Sequence, residues 1–478
     1  MSAAMLWKMD ALAAAMNATP QGVLPDGITG LSIDSRTTVA GDAFFAIQGD
    51  NRDGHEFVEA ARARGAALAV ISADKRGAFP RDAPLLVVGD VLSALYDLAR
   101  AARARSKARI VAVTGSVGKT GTKEALRLAL ARCGRTHASA ASYNNHWGVP
   151  LSLARMPANV RFGVFEIGMN HAGEITPLTR LVRPHVAIVT TVEPVHLEYF
   201  GSLEAITDAK AEIFSGLEPD GTAVLNCDNP QFPRLRQAAH DAGVGRIVTF
   251  GEHAEADARL LRCSLRDDCS TVNAMIFQDE VTYKVSAPGH HLVLNSLAVL
   301  AAARLAGGDL ALAALAMAEW QAPVGRGARA SLTLPNGGSA LLIDESYNAN
   351  PASMRAALSV LGQAPLGRRG RRIAVLGDML ELGNDGAALH RGLLDPILGA
   401  GADLVFCAGP LMRQLWNALP AELQGGYAPT AVELEPAVRD IIRDGDAVMI
   451  KGSLGSRMGP IVKSLLTHFA QADSRQAS

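Results

Sequence analysis

The sequence predicts an α/β protein of three domains. A small α/β module comes first, then a doubly wound, mainly parallel sheet carrying a phosphate loop, then a Rossmann-like domain. Three observations predict it. Its 478 residues are more than one hydrophobic core organises. From about residue 110 onward, short apolar strands alternate with amphipathic helices. One of those strands runs directly into a glycine-bearing loop and a helix. Core material is ample, with 49% hydrophobic against 19% charged residues.

The first block, 1–105, places strands at Asp42–Ile47, Ala67–Ile71 and Leu85–Val88 between helical segments, and the Arg/Ala-rich helix Leu92–Arg105 leads out of it. The second, 106–324, begins with the strand Ile110–Val113. Phe162–Ile167, Val186–Thr190, Thr222–Asn226 and Arg246–Thr249 follow, separated by helical patterns that force parallel crossovers. Leu260–Ser286 alternates in polarity and reads as a β-hairpin insertion. The third, 325–478, starts at Pro323-Val324-Gly325-Arg326-Gly327 and has strands at Ala340–Ile343, Arg372–Leu376, Leu404–Cys407 and Ala447–Ile450. None of its strands ends in G-x-G-x-x-G, so no dinucleotide is assigned to it.

Several function classes drop out on composition. A net charge of −1 carries no broad electrostatic footprint for nucleic acid. None of the five cysteines lies in a C-x-x-C pair, which argues against a zinc knuckle or redox motif, and an odd, scattered set fits a reducing cytoplasm. Lys8 and Asp10 interrupt the N-terminal apolar run, unlike a signal peptide. The most apolar stretch, Leu292–Trp320, is broken by Asn295, Arg304, Gly307, Gly308 and Asp309, so it reads as two buried helices and not a membrane span. The expectation is a cytoplasmic monomer with no nucleic-acid partner and no membrane insertion.

The strongest local signal is Val111-Ala112-Val113-Thr114-Gly115-Ser116-Val117-Gly118-Lys119-Thr120. Gly115 and Gly118 let the backbone bend so that N–H groups converge on phosphate oxygens, and the following helix adds its dipole. Lys119 offers a cation to the β/γ-phosphates and Thr120 a hydroxyl to Mg²⁺. Val113 stands where the full phosphate-loop pattern has glycine, and the competing reading is a tight strand–helix turn with a surface lysine. Glu166 sits inside the apolar run Gly163–Gly168; a carboxylate there is costly unless it is ion-paired or holds a metal. His196 follows a strand end, and Lys210 lies on a helix where, taken alone, it reads as exposed surface.

Taken together and in order, several stretches resemble the Mur ligase family. They are Thr114–Thr120, Tyr143-Asn144-Asn145-His146-Trp147-Gly148-Val149-Pro150, Glu166–His171, the His196 and Lys210 segments, Gly289-His290-His291 with Asn295, Gly325-Arg326, Asp344–Pro351, and Lys451-Gly452-Ser453. Within the family, Asp344–Met354 and Gly377–Gly383 resemble the member that joins D-alanyl-D-alanine to UDP-MurNAc-tripeptide. The Asp-Asn-Pro-Arg signature of the member adding the third residue is absent from the last domain.

The resemblance implies an ATP-dependent ligase working through an acyl phosphate. It implies that Gly115, Ser116, Val117, Gly118, Lys119 and Thr120 bind ATP phosphates. Thr120 and Glu166 would hold one Mg²⁺, His196 a second, and Lys210 would carry a carbamate that joins the metal ligands. Lys119, Glu166, His196 and Lys210 form the implied catalytic set. Asn295 and Arg326 match nucleotide-contacting positions, with Asp344 or Glu345 beside them. Asp34, Ser35 and Arg36 match the uridine-nucleotide site of a UDP-sugar-binding first domain. Asn144, Asn145, Tyr347, Asn348, Asn350, Lys451 and Ser453 fall on the substrate side. Competing functions are another Mur or folylpolyglutamate-type ligase and a phosphate-loop ATPase switch.

Overall fold

The computed structural model describes residues 4–475 apart from 141, 196 and 336, with side chains through 469. Three large sheets organise the described residues, beside a two-stranded ribbon of Trp7–Lys8 and Gly27–Ile28. The first has five strands in the spatial order Thr19–Gln21, Leu85–Val88, Leu68–Ser72, Asp42–Phe45, Gly30–Ser32, all parallel except the outermost Thr19–Gln21.

The central sheet has nine strands. From its inner edge the order is Thr136–Ala138, Phe162–Glu166, Arg109–Thr114, Val186–Val189, Thr222–Asn226, Arg246–Gly251, Ala258–Leu265, Ser270–Ile276, Asp279–Val285. The phosphate-loop strand Arg109–Thr114 therefore lies between Phe162–Glu166 and Val186–Val189, parallel to both. Alternate side chains go to opposite faces, and both faces are apolar because both are covered by helices. Val111 and Val113 join Val164, Ile188 and Val224 under helices Lys119–Ala131 and His290–Leu305. Ile110 and Ala112 join Phe165, Ala187 and Leu225 under helices Gly148–Ala154 and Ile175–Val182.

The expected hairpin insertion is corrected to a three-stranded antiparallel meander that extends this sheet. Its first strand, Ala258–Leu265, pairs parallel with Arg246–Gly251. A register shift between Leu260 and Arg262 interrupts that strand's alternation.

The last sheet has six strands in the order Ala328–Thr333, Ser339–Glu345, Ala447–Lys451, Arg372–Gly377, Leu404–Ala408, Gln424–Ala428, with only Ala328–Thr333 antiparallel. The sequence reading missed both of its edge strands. Gln424–Ala428 contains two adjacent glycines, which weaken any strand pattern.

The sheets are joined by shared packing. Leu151 and Ala154, from the central helix Gly148–Ala154, sit in the first module's core with Phe45, Leu95 and Leu98. Trp7 Nε1 donates to Ala154 O at 3.0 Å, and Arg155 Nε donates to Leu31 O at 2.8 Å. Helix Val91–Arg105 serves both units, since its Leu95 packs in the first core and its Ala99 in the central one. No helix among the described residues is long and apolar enough to cross a membrane.

Candidate active site

The loop after Arg109–Thr114 turns on two glycines with positive φ, Gly115 at 144° and Gly118 at 87°. A β-carbon at Gly118 would lie 2.7 Å from Asn295 Nδ2, and one at Gly115 would collide with the Thr190 hydroxyl. The loop is stitched to the end of the neighbouring strand. Ser116 N donates to Thr191 O at 2.8 Å, and Thr190 Oγ1 donates to Val117 O at 2.6 Å. Ser116 Oγ donates to Glu193 O at 3.0 Å and accepts from Glu193 N at 2.9 Å. Helix Lys119–Ala131 starts immediately after, capped by Gly118, whose lack of a side chain leaves the first N–H groups open to an anion.

Lys119 Nζ curls over the loop, donating to Gly115 O at 2.7 Å and Ser116 O at 3.3 Å. Burial lowers its pKa from 10.5 to about 8; Glu166 opposes the shift and the Arg326 charge adds to it. Thr120 Oγ1 donates to Glu166 Oε2 at 2.9 Å. Asn144 Nδ2 donates to Glu166 Oε1 at 2.8 Å. Glu166 is fully buried at the carboxyl end of its strand, in register with Val113. Both of these hydrogen-bond donors are neutral, and the carboxylate also feels the Lys119 charge. A buried anion gains from a further cation beside it. The chemistry of the donor set, carboxylate and hydroxyl oxygens, suits Mg²⁺.

Lys210 is corrected from surface to interior. It is 2% exposed on helix Leu203–Ala211, and burial, then the Lys119 charge, hold its amine well below the ordinary lysine range. Its acidic neighbours bond elsewhere. Asp208 takes Arg234 at 2.6 and 2.7 Å, and Glu212 takes the N–H groups of Gly173 at 2.5 Å and Thr176 at 2.9 Å. His196 lies outside the described residues. Among those described, no three His, Cys, Asp or Glu side chains cluster as a metal site.

The last domain reaches this cluster through Arg326. Its Nη2 donates to Ser142 Oγ at 3.3 Å, and its guanidinium lies 4.3 Å from the Tyr347 ring centroid. A cavity of about 450 Å³ opens between the phosphate helix and this joint, lined by Thr120, Leu128, Trp320, Pro323, Arg326 and Tyr347. Tyr347, expected on the substrate side, thus shares a cavity with Thr120.

Asp344 and Glu345 separate clearly. Asp344 is buried and spent tying its own turn to the loop at Gly325, accepting from Gly325 N at 2.9 Å and from Ser346 Oγ at 2.6 Å. Glu345 Oε2 meets Lys451 Nζ at 3.3 Å, and Lys451 also donates to Asn348 O at 2.9 Å. Asn350 caps helix Pro351–Gly362 through a reciprocal box with Ser353. Ser453 Oγ donates to Ala349 O at 3.3 Å and accepts from Leu380 N at 3.1 Å. Asn145 Oδ1 closes the turn ahead of helix Gly148–Ala154, accepting from Trp147 N at 3.2 Å and Gly148 N at 2.9 Å.

Asp34 and Arg36 pair with each other at 2.7 Å, with Ser35 between them. The partners given for them lie in their own loop, after strand Gly30–Ser32, and none belongs to the phosphate-loop cluster. The sequence reading did not single out Ser142, Trp320, or Glu193 with its clasp on Ser116. Their one signal was position beside quoted motifs; each contact joins residues at least 77 apart.

Family models match the chain in three stretches: a Mur ligase family catalytic domain at 27–105, a Mur ligase middle domain at 113–303, and a Mur ligase glutamate ligase domain at 333–454. The UDP-N-acetylmuramoyl-tripeptide–D-alanyl-D-alanine ligase of Rickettsia prowazekii is 31% identical over 432 residues, spanning 90% of this chain and 94% of the relative. The protein of the same name from Escherichia coli K12 is 32% identical over 91% of this chain and 93% of its own length. The crystal structure of MurF from Acinetobacter baumannii superposes with a TM-score of 0.82 at 28% identity, covering 96% of this chain and 99% of that one. With its phosphate loop, its buried Glu166 and relatives matched over about nine-tenths of its length, the chain belongs to the Mur ligase family.

Proposed function

We infer that this chain is an ATP-dependent ligase that joins D-alanyl-D-alanine to UDP-MurNAc-tripeptide in the synthesis of peptidoglycan precursors. One observation carries the reading: a phosphate loop with Lys119 curled over it stands against the Thr120–Glu166–Asn144 cluster, in a chain that matches ligases of that name over nine-tenths of its length.

A carboxylate does not accept an amine directly, because its oxygen is a poor leaving group. The acceptor's terminal carboxylate oxygen attacks the γ-phosphorus of ATP; the bond from that phosphorus to the bridging oxygen breaks, and ADP leaves. The amine of D-alanyl-D-alanine, having shed its ammonium proton, attacks the carbonyl carbon of the acyl phosphate. The C–N bond forms, the C–O bond to phosphate breaks, the nitrogen gives up a second proton to solvent or to the departing phosphate, and phosphate departs. Little protein-borne covalent chemistry is needed, so positioning and charge screening carry the rate.

We assign the ATP phosphates to the N–H groups and side chains of Gly115 to Thr120. Lys119 screens the charge of the β/γ-phosphates. Thr120 and Glu166 would hold one Mg²⁺, with His196 a candidate for a second; the ion supplies Lewis-acid neutralisation of phosphate oxygens. Lys210 is the candidate for carbamylation. Its lowered basicity favours the neutral amine, which attacks carbon dioxide and loses a proton to leave a carbamate anion. Asn295, Arg326 and Glu345 are assigned to the nucleotide side. Asp344, whose oxygens go to Gly325 and Ser346, is assigned to holding that joint. Asp34, Ser35 and Arg36 are assigned to the uridine nucleotide. Asn144, Tyr347, Asn348, Lys451 and Ser453 border the acceptor. The working division is 1–105 for the UDP-sugar, 106–324 for ATP and 325–478 for closure over both, in the cytoplasm.

The test is direct. Purified protein with ATP, Mg²⁺, UDP-MurNAc-tripeptide and D-alanyl-D-alanine should yield one ADP per ligated product, read by mass spectrometry. Steady ATP hydrolysis that ignores both substrates sinks the ligase reading and favours an ATPase switch.

A further inference from the structure

Lys123 lies one helical turn beyond Lys119, and its side chain is fully buried. Burying an ammonium costs several kcal/mol before its partners compensate, so an apolar residue would fill this space more cheaply. Its partners show what the expense secures. Nζ donates to Ser139 O at 2.8 Å and pairs with Glu124 Oε1 at 2.5 Å. Glu124 also binds Arg127 at 2.7 Å, so the carboxylate is not Lys123's alone to satisfy.

Ser139 opens the segment that runs along the site to Asn145. Ser139 N bonds Val164 O at 3.0 Å on the Glu166 strand. Three residues on, Ser142 receives Arg326; two further on, Asn144 Nδ2 reaches Glu166 Oε1 at 2.8 Å, and Asn144 O accepts from Gly168 N at 2.8 Å. Thr120 and Lys123, at i and i+3, share one face of the phosphate helix. That face therefore sets both donors on Glu166: Thr120 directly on Oε2, and Asn144 on Oε1 through the segment Lys123 holds.

We propose that Lys123 is a positioning residue for the ligation, clamping Ser139 so that Asn144 orients the Glu166 carboxylate against the phosphate loop. The inference rests on Glu166 acting in the reaction. Second-layer partners of a metal-binding carboxylate typically contribute 10- to 100-fold when removed.

The test uses the full chain and five variants: Lys123→Met, Lys123→Arg, Asn144→Ala, Glu166→Gln and the double variant Lys123→Met/Asn144→Ala. Lys123→Met should lower kcat on the order of 10- to 100-fold while leaving KM for the acceptor unmoved. It should also weaken ADP binding measured by calorimetry with Mg²⁺ but not without it. Lys123→Arg should recover part of both losses. The double variant should be no slower than Asn144→Ala alone, because both changes remove one interaction. Native-like kinetics in Lys123→Met, or losses that multiply in the double variant, overturn the proposal. Native-like kinetics in Asn144→Ala overturn this inference and leave the Glu166 reading standing, whereas native-like kinetics in Glu166→Gln overturn both. If Lys123→Met gives too little folded protein, Lys123→Leu, which also lacks a donor for Ser139, carries the same comparison.

Discussion

Lys119 titrates where it works. Its pKa of about 8 lies below the 10.5 of an unperturbed lysine, so free enzyme loses this cation as pH climbs through 8. Triphosphate prefers the charged form. Affinity for a nonhydrolysable ATP analogue should therefore fall between pH 7 and 9, and binding near pH 8 should take up a proton, measurable by calorimetry in buffers of different ionisation enthalpy. Lys119→Arg, always charged, should flatten that pH profile, and Lys119→Ala should cut ligation by roughly 100- to 1000-fold with the fold retained. Lys210 makes a second residue-scale prediction. Lys210→Ala should lose activity, and high concentrations of short-chain carboxylic acids should restore part of it by standing in for a carbamate. Activity equal to the native protein's, with no response to added acid, would remove the carbamate from the scheme.

Elements decide how tightly those side chains are aimed. Gly118 sits at φ 87° with Asn295 against it, so Gly118→Ala forces a β-carbon into a strained backbone and a filled space. The expected cost is about 1–2 kcal/mol by denaturant unfolding, with weaker nucleotide binding as the loop shifts. The capping box at Asn350 supports a finer prediction. Asn350→Ala should destabilise by about 1 kcal/mol, whereas Asn350→Asp, which keeps the oxygen that accepts from Ser353 N, should not. A loss of ligation in the stable Asp variant would then report a substrate contact by the amide. Unchanged stability in Asn350→Ala would mean the cap contributes nothing.

On the scale of the whole molecule, the site lies where the central sheet meets the residues leading into the last one. Arg326, just ahead of strand Ala328–Thr333, contacts Ser142 beside the central sheet, and its charge is felt by Lys119. Glu198 N meets Glu381 O at 3.4 Å across the same boundary. Arg326→Ala should raise KM for ATP by on the order of tenfold, about 1.4 kcal/mol, and leave the melting temperature nearly unmoved. A matched fall in melting temperature instead would make Arg326 a structural strut. The glycine-bearing loop and the buried carboxylate come from adjacent strands of the central sheet, and Arg326 reaches them from the sequence that leads into the last sheet.

The sequence by itself determined the α/β class, the alternation of strands and helices, and the phosphate loop. Each of these rests on local chemistry: period-2 apolar runs, helical spacing, and glycines where φ must be positive. Ordered motifs also made the family legible. Only the tertiary structure decided that Lys210 is interior and not surface, because burial depends on what packs over a helix and a helix's own polarity cannot report it. The same holds for Asp344, whose oxygens go to Gly325 and Ser346 and leave Glu345 to meet Lys451. Among the strands that escaped sequence reading are two edge strands of the last sheet: Gln424–Ala428 because glycine has no side chain to alternate, and Ala328–Thr333 because an edge strand needs a partner to be defined. Contacts spanning tens to hundreds of residues, such as Thr120 to Glu166 and Arg326 to Ser142, are properties of the folded chain, since no local pattern encodes which distant group arrives.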